Sequence, residues 1–265
     1  MRALLTESPV RAIAFAIGIV LIAFQVWLLF EPQQPLFERP VHLSAMLVLL
    51  FLYKPLEAEA LPRVLRIAID GLLILGAIAV LGYYITGFER LTTRMENVSP
   101  IFDTDIFFGA LLVFLLLEGS RRAVGMILVW VLLAFITYVF WGNVLPGWLN
   151  FRGFDIEAAT EITTMTTAGV LGITTSTSVS FVFYFILFGA FYSAVGGGQL
   201  FIDLAIRAAG RATGGTAKAA IIGSSLMGSI SGSAVANVVS TGVFTIPLMK
   251  RTGLSAHRAA GIEAI

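Results

Sequence analysis

The chain has 265 residues, of which 58% are hydrophobic and 12% charged, and its formal net charge is +1. Soluble domains carry roughly 25% charged residues, so this composition excludes an ordinary water-soluble globule and indicates a polytopic membrane protein. No cysteine is present, which rules out disulfides and thiolate metal sites, and the small net charge provides no basic field for nucleic acid.

The opening MRALLTESPVR leads into an apolar run at about residues 12–30 with no small-residue cleavage site after it. It reads as a retained first helix rather than a removed signal peptide. Further spans are expected at about 41–53, 67–85, 106–117, 123–141 and 180–195. The short ones can tilt or borrow flanking turns. Trp27, Trp141 and Trp148 lie near span ends, where interfacial anchors belong.

Loop charges give the orientation. With a cytoplasmic N-terminus, 13 of the 17 Lys and Arg residues fall inside, and only Arg39, Arg90, Arg94 and Arg152 fall outside. The reverse placement breaks the positive-inside rule. Asp70 and Glu118 then lie at cytoplasmic span ends and read as solvated interface charges.

Two connections carry information. Residues 142–179 are too polar to span, and a short helix along the interface is expected from about Asp155 to Thr167. The hydroxyl-rich Thr174–Ser180 that follows reads as an outside loop, with a cap on the sixth span as the alternative. The second connection, Gly196–Lys218, has apolar residues at helical spacing over Leu200–Ala209, with Asp203 and Arg207 four apart. An amphipathic helix on the cytoplasmic surface, with an i,i+4 contact between those two, is expected.

Residues 219–249, between Lys218 and Lys250, contain no charge over 31 residues. As one straight helix they would run about 47 Å, against a hydrocarbon core about 30 Å thick. Both flanks are basic, with Arg207, Arg211 and Lys218 before and Lys250, Arg251 and Arg258 after. A single crossing would put one cluster outside. A re-entrant helical hairpin, turning near Ser229–Ser233, resolves both problems. Backbone freed at that depth is tolerated only in protein or along a cavity, and transporters use such turns to bind ions and substrates. Ser231, Ser233, Asn237, Ser240 and Thr241 supply oxygens for a hard cation such as sodium, and Gly228 and Gly232 permit the turn. The alternative is packing alone, since Gly228 and Gly232 form a small-xxx-small pattern; the matched basic flanks favour the hairpin.

Enzymatic readings fail. An intramembrane serine protease of the rhomboid kind needs G-x-S-G and a histidine base, but position 229 is serine and the two histidines, His42 and His257, lie at a span end and in a basic loop. GRATGGTAK lacks the Gly-Lys-Ser/Thr of a phosphate loop and has no strand before it. No enzyme is expected.

The run GSSLMGSISGSAVANVVSTGVFTIPLMKRTG, Gly223 to Gly253, resembles the first re-entrant hairpin of the large permease subunit of TRAP transporters, the tripartite ATP-independent periplasmic transporters. AHRAAGIEA after it, and upstream FVFYFILFGAFYSAVGGGQLFIDLA, GRATGGTAKAA and LLLEGSRRAVG, are similar to the same family. The helices ahead of this part, in one chain with it, resemble the fused permeases of the TAXI branch, in which a four-helix small subunit joins a twelve-helix large one.

The resemblance implies an all-α, polytopic, elevator-type transporter fragment in the bacterial inner membrane. Residues 1–120 correspond to the small subunit, and 121–265 to the start of the large one with its first hairpin at about 219–249. It implies sodium-coupled import of organic anions, dicarboxylates or amino acids, delivered by a periplasmic TAXI-type solute-binding protein, with lipid around the spans and no resident cofactor. Ser231, Gly232, Ser233 and Asn237 would line the hairpin tip, with Ser231, Ser233 and Asn237 as sodium ligands. Ser240, Thr241 and Gly242 would lie on the returning arm. The family's large subunit continues beyond the match, with a second hairpin. The chain is therefore expected to hold one half of a site and to need the remaining C-terminal portion of the large permease region for transport. The alternative is an inactive truncated permease or a non-transporting membrane scaffold.

Overall fold

A computed structural model describes residues 9–58, 61–210, 212–229 and 234–264. Thirteen α-helices occur among the described residues, and no strand. They are α1 (Pro9–Phe30), α2 (Pro35–Tyr53), α3 (Arg63–Thr86), α4 (Phe88–Thr93), α5 (Asp103–Ala123), α6 (Met126–Trp141), α7 (Ile156–Thr160), α8 (Ile173–Thr177), α9 (Phe183–Ala194), α10 (Gly197–Ala209), α11 (Gly215–Gly228), α12 (Ala234–Arg251) and α13 (Ala256–Glu263).

Among the described residues five helical stretches are long and apolar enough to cross a membrane: Val10–Phe30, Pro35–Tyr53, Arg63–Thr86, Met126–Val144 and Ile173–Tyr192. The span expected at 106–117 is the uncharged middle of α5, whose 21 residues carry acids in the first turn and Arg121 and Arg122 in the last. That arrangement suits the helix dipole at both ends. The span expected at 41–53 starts earlier, with Pro35 in the first turn of α2, where its missing N–H costs nothing. Large apolar side chains stay exposed along these helices; on α6, Ile127 is 84% and Phe135 65% exposed. Lipid covers such surfaces in a multi-pass membrane protein.

The chain divides into two compact units, Met1–Val179 and Ser180–Ile265. The first packs α2, α3 and α5 around Leu47, Phe51, Ala77, Val80, Leu112 and Leu115. Charged groups tie its ends. Asp105, fully buried, accepts from Arg90 Nη1 at 3.0 Å and from Tyr83 Oη at 2.6 Å, and its Oδ2 also accepts from the Phe102 amide that opens α5. Hydrogen bonding to Asp105 raises the Arg90 pKa further above its ordinary value. At the other end Arg122 donates to Asp70 at 2.6 Å and to Glu118 at 2.7 Å. Asp70 and Glu118, expected as solvated charges, are therefore ion-paired, with side chains only 15% and 16% exposed.

Residues 142–179 add detail to one expectation and change another. The short helix expected at about Asp155–Thr167 is α7 followed by a π-helical turn, Glu161–Met165, with Ala159, Glu161, Thr164 and Met165 buried on one face while Ile156 and Ile162 are exposed. Arg94 Nη1 donates to Glu161 Oε1 at 2.6 Å with both side chains about 5% exposed, and the Asn97 amide donates to the same oxygen. This buried pair draws the segment inward against α5. Gly109 makes the approach close, since a Cβ there would lie 2.7 Å from Thr164 Oγ1 and 2.9 Å from Thr160 Cγ2. The hydroxyl-rich Thr174–Ser180 is helical rather than a loop. Thr175 Oγ1 and Thr177 Oγ1 donate to backbone carbonyls, and Arg39 caps the turn by donating to Leu171 O at 2.5 Å and Ser176 Oγ at 3.1 Å. Hydroxyls that bond back to the chain lose their preference for loops.

In the second unit α10 is amphipathic, with Ile202, Ala205 and Ala209 buried. It packs on α11, where Gly223 brings Ala205 Cβ and Ile202 within ordinary contact. Asp203 takes its hydrogen bond from Gln199 Nε2, at 2.9 Å, instead of from Arg207.

Candidate functional site

The uncharged stretch folds as two helices, α11 and α12, that run antiparallel. Thr216 and Thr252 share a hydrogen bond of 2.9 Å at their open end, and Asn237 reaches Ser224 thirteen residues away nearer the turn. The described part of α11 ends at Gly228 and α12 begins at Ala234; the turn expected near Ser229–Ser233 lies, apart from Ser229, outside the described residues. Ser231, Gly232 and Ser233 lie outside the described residues, as does the side chain of Ser240. Lys250 and Arg251 occupy the last turn of α12, where positive charge meets the negative end of the helix dipole.

Asn237 is oriented with unusual definition. Its Nδ2 donates to Ser224 O at 3.1 Å and Ser224 Oγ at 3.0 Å. Its Oδ1 is buried with no donor among the described residues. A buried acceptor left without a donor is costly unless a ligand meets it. Gly228 allows the close approach, because a Cβ there would be 3.3 Å from Asn237 Nδ2.

One turn further along α12, Thr241 and Thr245 are both 1% exposed. Each hydroxyl bonds to the carbonyl four residues back, Thr241 to Asn237 O at 2.8 Å and Thr245 to Thr241 O at 2.9 Å. Each also contacts one oxygen of Glu263, on α13. Thr241 in addition borders a cavity of about 230 Å³ lined by Gly196, Gly198, Gln199, Ile202, Met227 and Phe244.

Of the residues singled out from sequence, Asn237, Thr241 and Gly242 are thus brought onto one stretch of α12. Ser224, Thr245 and Glu263 join them without having been singled out. A legible signal existed for Thr245, which repeats Thr241 at i+4 on one helix face. For Glu263 there was none beyond an acid placed among alanines and glycines. Among the described residues no three His, Asp or Glu side chains converge as a metal site; the hairpin's donors are neutral oxygens.

The family described as the DctM component of the tripartite ATP-independent periplasmic transporters matches residues 111–265, more than half of the chain. The chain belongs to this family. The DctM component is a transporter permease, which is not an enzyme class. Among individual relatives, the 2,3-diketo-L-gulonate TRAP transporter large permease protein YiaN of Escherichia coli is 29% identical over 159 residues, covering 60% of this chain and 32% of that protein. A TRAP transporter large permease protein of Haemophilus influenzae is 38% identical over 79 residues, covering 30% of this chain and 19% of that protein. The chain therefore spans about a third or less of the length of these relatives. No solved structure matches it.

Proposed function

We propose that the chain forms part of a sodium-coupled TRAP permease in the bacterial inner membrane, with its N-terminus in the cytoplasm, and that α11 and α12 are its first re-entrant hairpin. In this reading the permease imports organic anions, dicarboxylates or amino acids, by an elevator movement of the hairpin-bearing part. A periplasmic solute-binding protein of the TAXI kind delivers the substrate. Residues 1–120 act as a fused small-subunit region and 121–265 as the start of the large one. Ser231, Gly232, Ser233 and Asn237 form the hairpin tip, with Ser231, Ser233 and Asn237 as sodium ligands and Ser240, Thr241 and Gly242 behind them.

One observation carries the reading. Among the described residues Asn237 Oδ1 is buried without a donor, while its own amide nitrogen is fixed by Ser224. The fixed nitrogen sets which way the oxygen faces. A carbonyl oxygen with no hydrogen to accept is a ligand for a hard cation, and sodium at a hairpin turn is how such folds couple transport.

A second reading, a non-transporting scaffold, draws on Gly228, whose missing side chain is explained by packing against Asn237 alone. Sodium titration of uptake in the complete permease separates the two. With Asn237→Ala, or Ser231→Ala with Asn237→Ala, half-saturating sodium should rise about tenfold or more while expression is kept, as expected for losing a ligand worth a charge-assisted bond. Unchanged sodium dependence would favour the scaffold.

A further inference from the structure

Asp203 and Glu263 are the only acids from Ser180 onward. Asp203 is exposed and Glu263 is 2% exposed. Glu263 ends α13, which packs on α11 and α12 through Ala220, Met249 and Ala259. Burying a carboxyl requires that its oxygens be met, and here both are. Oε1 contacts the Thr241 hydroxyl and Oε2 the Thr245 hydroxyl. Between them Gly242 leaves the space the side chain fills, since a Cβ on Gly242 would lie 3.3 Å from Glu263 Cγ and 3.7 Å from Cδ. Thr241, Gly242 and Thr245 are a socket cut to one side chain. Asn237 O accepts from Thr241, and Asn237 itself holds Ser224. A continuous chain of contacts therefore runs from α11 through α12 to α13, with the one Thr241 hydroxyl hydrogen shared between Asn237 O and Glu263 Oε1.

We propose that Glu263 is a positioning residue that locks α13 onto the returning arm of the hairpin, so that the hairpin and α13 move as one body. The lock stands on these contacts alone; its consequence for transport rests on the hairpin reading above. Shape and hydrogen bonding do the locking, not charge. A glutamine can accept from one threonine through Oε1 and donate through Nε2 to the other, whose hydroxyl hydrogen stays on the carbonyl four residues back. Each threonine then keeps one hydrogen bond to residue 263. An ion ligand would behave oppositely, since the amide removes the charge.

The test uses the full chain in lipid nanodiscs. Ala259 is fully buried under the lock, and Ala259→Cys gives the chain its only cysteine. Maleimide labelling of this cysteine should be slow in the parent and within about twofold of it in Glu263→Gln and in Thr241→Ser with Thr245→Ser. It should be about tenfold faster or more in Glu263→Leu and in Thr241→Val with Thr245→Val, as two hydrogen bonds are lost and the local opening becomes easier. Equal, slow labelling in Glu263→Leu would overturn the lock, and so would fast labelling in Glu263→Gln. The melting temperature of the cysteine-free variants provides a second measure should Ala259→Cys itself loosen the packing. Glu263→Gln should match the wild type there and Glu263→Leu should fall below it; the reverse order overturns the lock.

In the complete permease, Glu263→Gln should keep the wild-type half-saturating sodium, and Glu263→Leu should lower the maximal uptake rate more than it shifts that concentration. Loss of sodium dependence in Glu263→Gln would make Glu263 an ion ligand and overturn the lock. Because labelling of Ala259→Cys requires neither sodium nor substrate, failure of the hairpin reading, seen with Asn237→Ala, is distinguishable from failure of the lock.

Discussion

From α1 to Val179 the buried polar groups include charged partners: Arg94 with Glu161, Arg122 with Asp70 and Glu118, and Asp105 with Arg90. From Ser180 onward the described residues contain no ion pair, and the interior polarity is an amide, several hydroxyls and one carboxyl held by two of those hydroxyls. Breaking a buried pair leaves an uncompensated charge, at about 3–5 kcal/mol, whereas a neutral hydrogen bond contributes about 0.5–1.5 kcal/mol. The first unit is therefore pinned at a few strong points, and the second is held by many weak ones along close-packed small residues.

The largest effect should come from the pinned unit. Arg94→Ala strands Glu161, whose side chain is about 5% exposed, and should lower stability by about 3–5 kcal/mol, read as a fall in melting temperature in detergent. Arg94→Ala with Glu161→Gln should recover part of that loss, because the stranded charge is gone. If the single and double variants melt together, the pair is not what holds residues 156–165 inward, and the contrast between the units fails at its strongest point.

A smaller effect is expected where the same unit relies on close approach. Gly109→Ala places a methyl 2.7 Å from Thr164 Oγ1, and overpacking of this kind costs about 1–3 kcal/mol. The threonine hydroxyl also back-bonds to Thr160 O at 2.9 Å, so it cannot swing aside without losing a bond. Melting of Gly109→Ala, compared with Gly76→Ala, measures this. A Cβ at Gly76 meets only leucine methyls at 3.6 Å and beyond, and that variant should be nearly neutral.

The long apolar helices of both units were legible in sequence because hydrophobic run length and basic flanks are local signals. The uncharged stretch shows this: its length and basic ends argue for two helices rather than one, and α11 ends at Gly228 while α12 begins at Ala234. What stayed hidden were partners distant in the chain. Nothing near Glu161 in sequence announces Arg94, 67 positions earlier. Thr174–Ser180 read as a loop because hydroxyls favour loops when solvated, and only the carbonyls and Arg39 around them turn them into helix. Glu263 went unremarked for the same reason, as its socket is 18 to 22 residues away.

The smallest effect should come from the second unit's most defined amide. Ser224 Oγ accepts from Asn237 Nδ2 at 3.0 Å, but Ser224 O accepts from the same nitrogen at 3.1 Å. Ser224→Ala removes the first and leaves the second, so stability should fall by no more than about 0.5–1.5 kcal/mol. The amide loses one of two fixed points, however, and the orientation of Asn237 Oδ1 depends on both. With Asn237 as the sodium ligand proposed above, half-saturating sodium in Ser224→Ala should rise by a few-fold, less than in Asn237→Ala, with only a small fall in melting temperature. A small change in stability with a larger change in ion response is what separates cohesion by weak, ligand-facing contacts from the ion-paired interior of the first unit. If Ser224→Ala instead shifts melting and leaves sodium response untouched, Asn237 belongs to the packing and the second unit is only a softer version of the first.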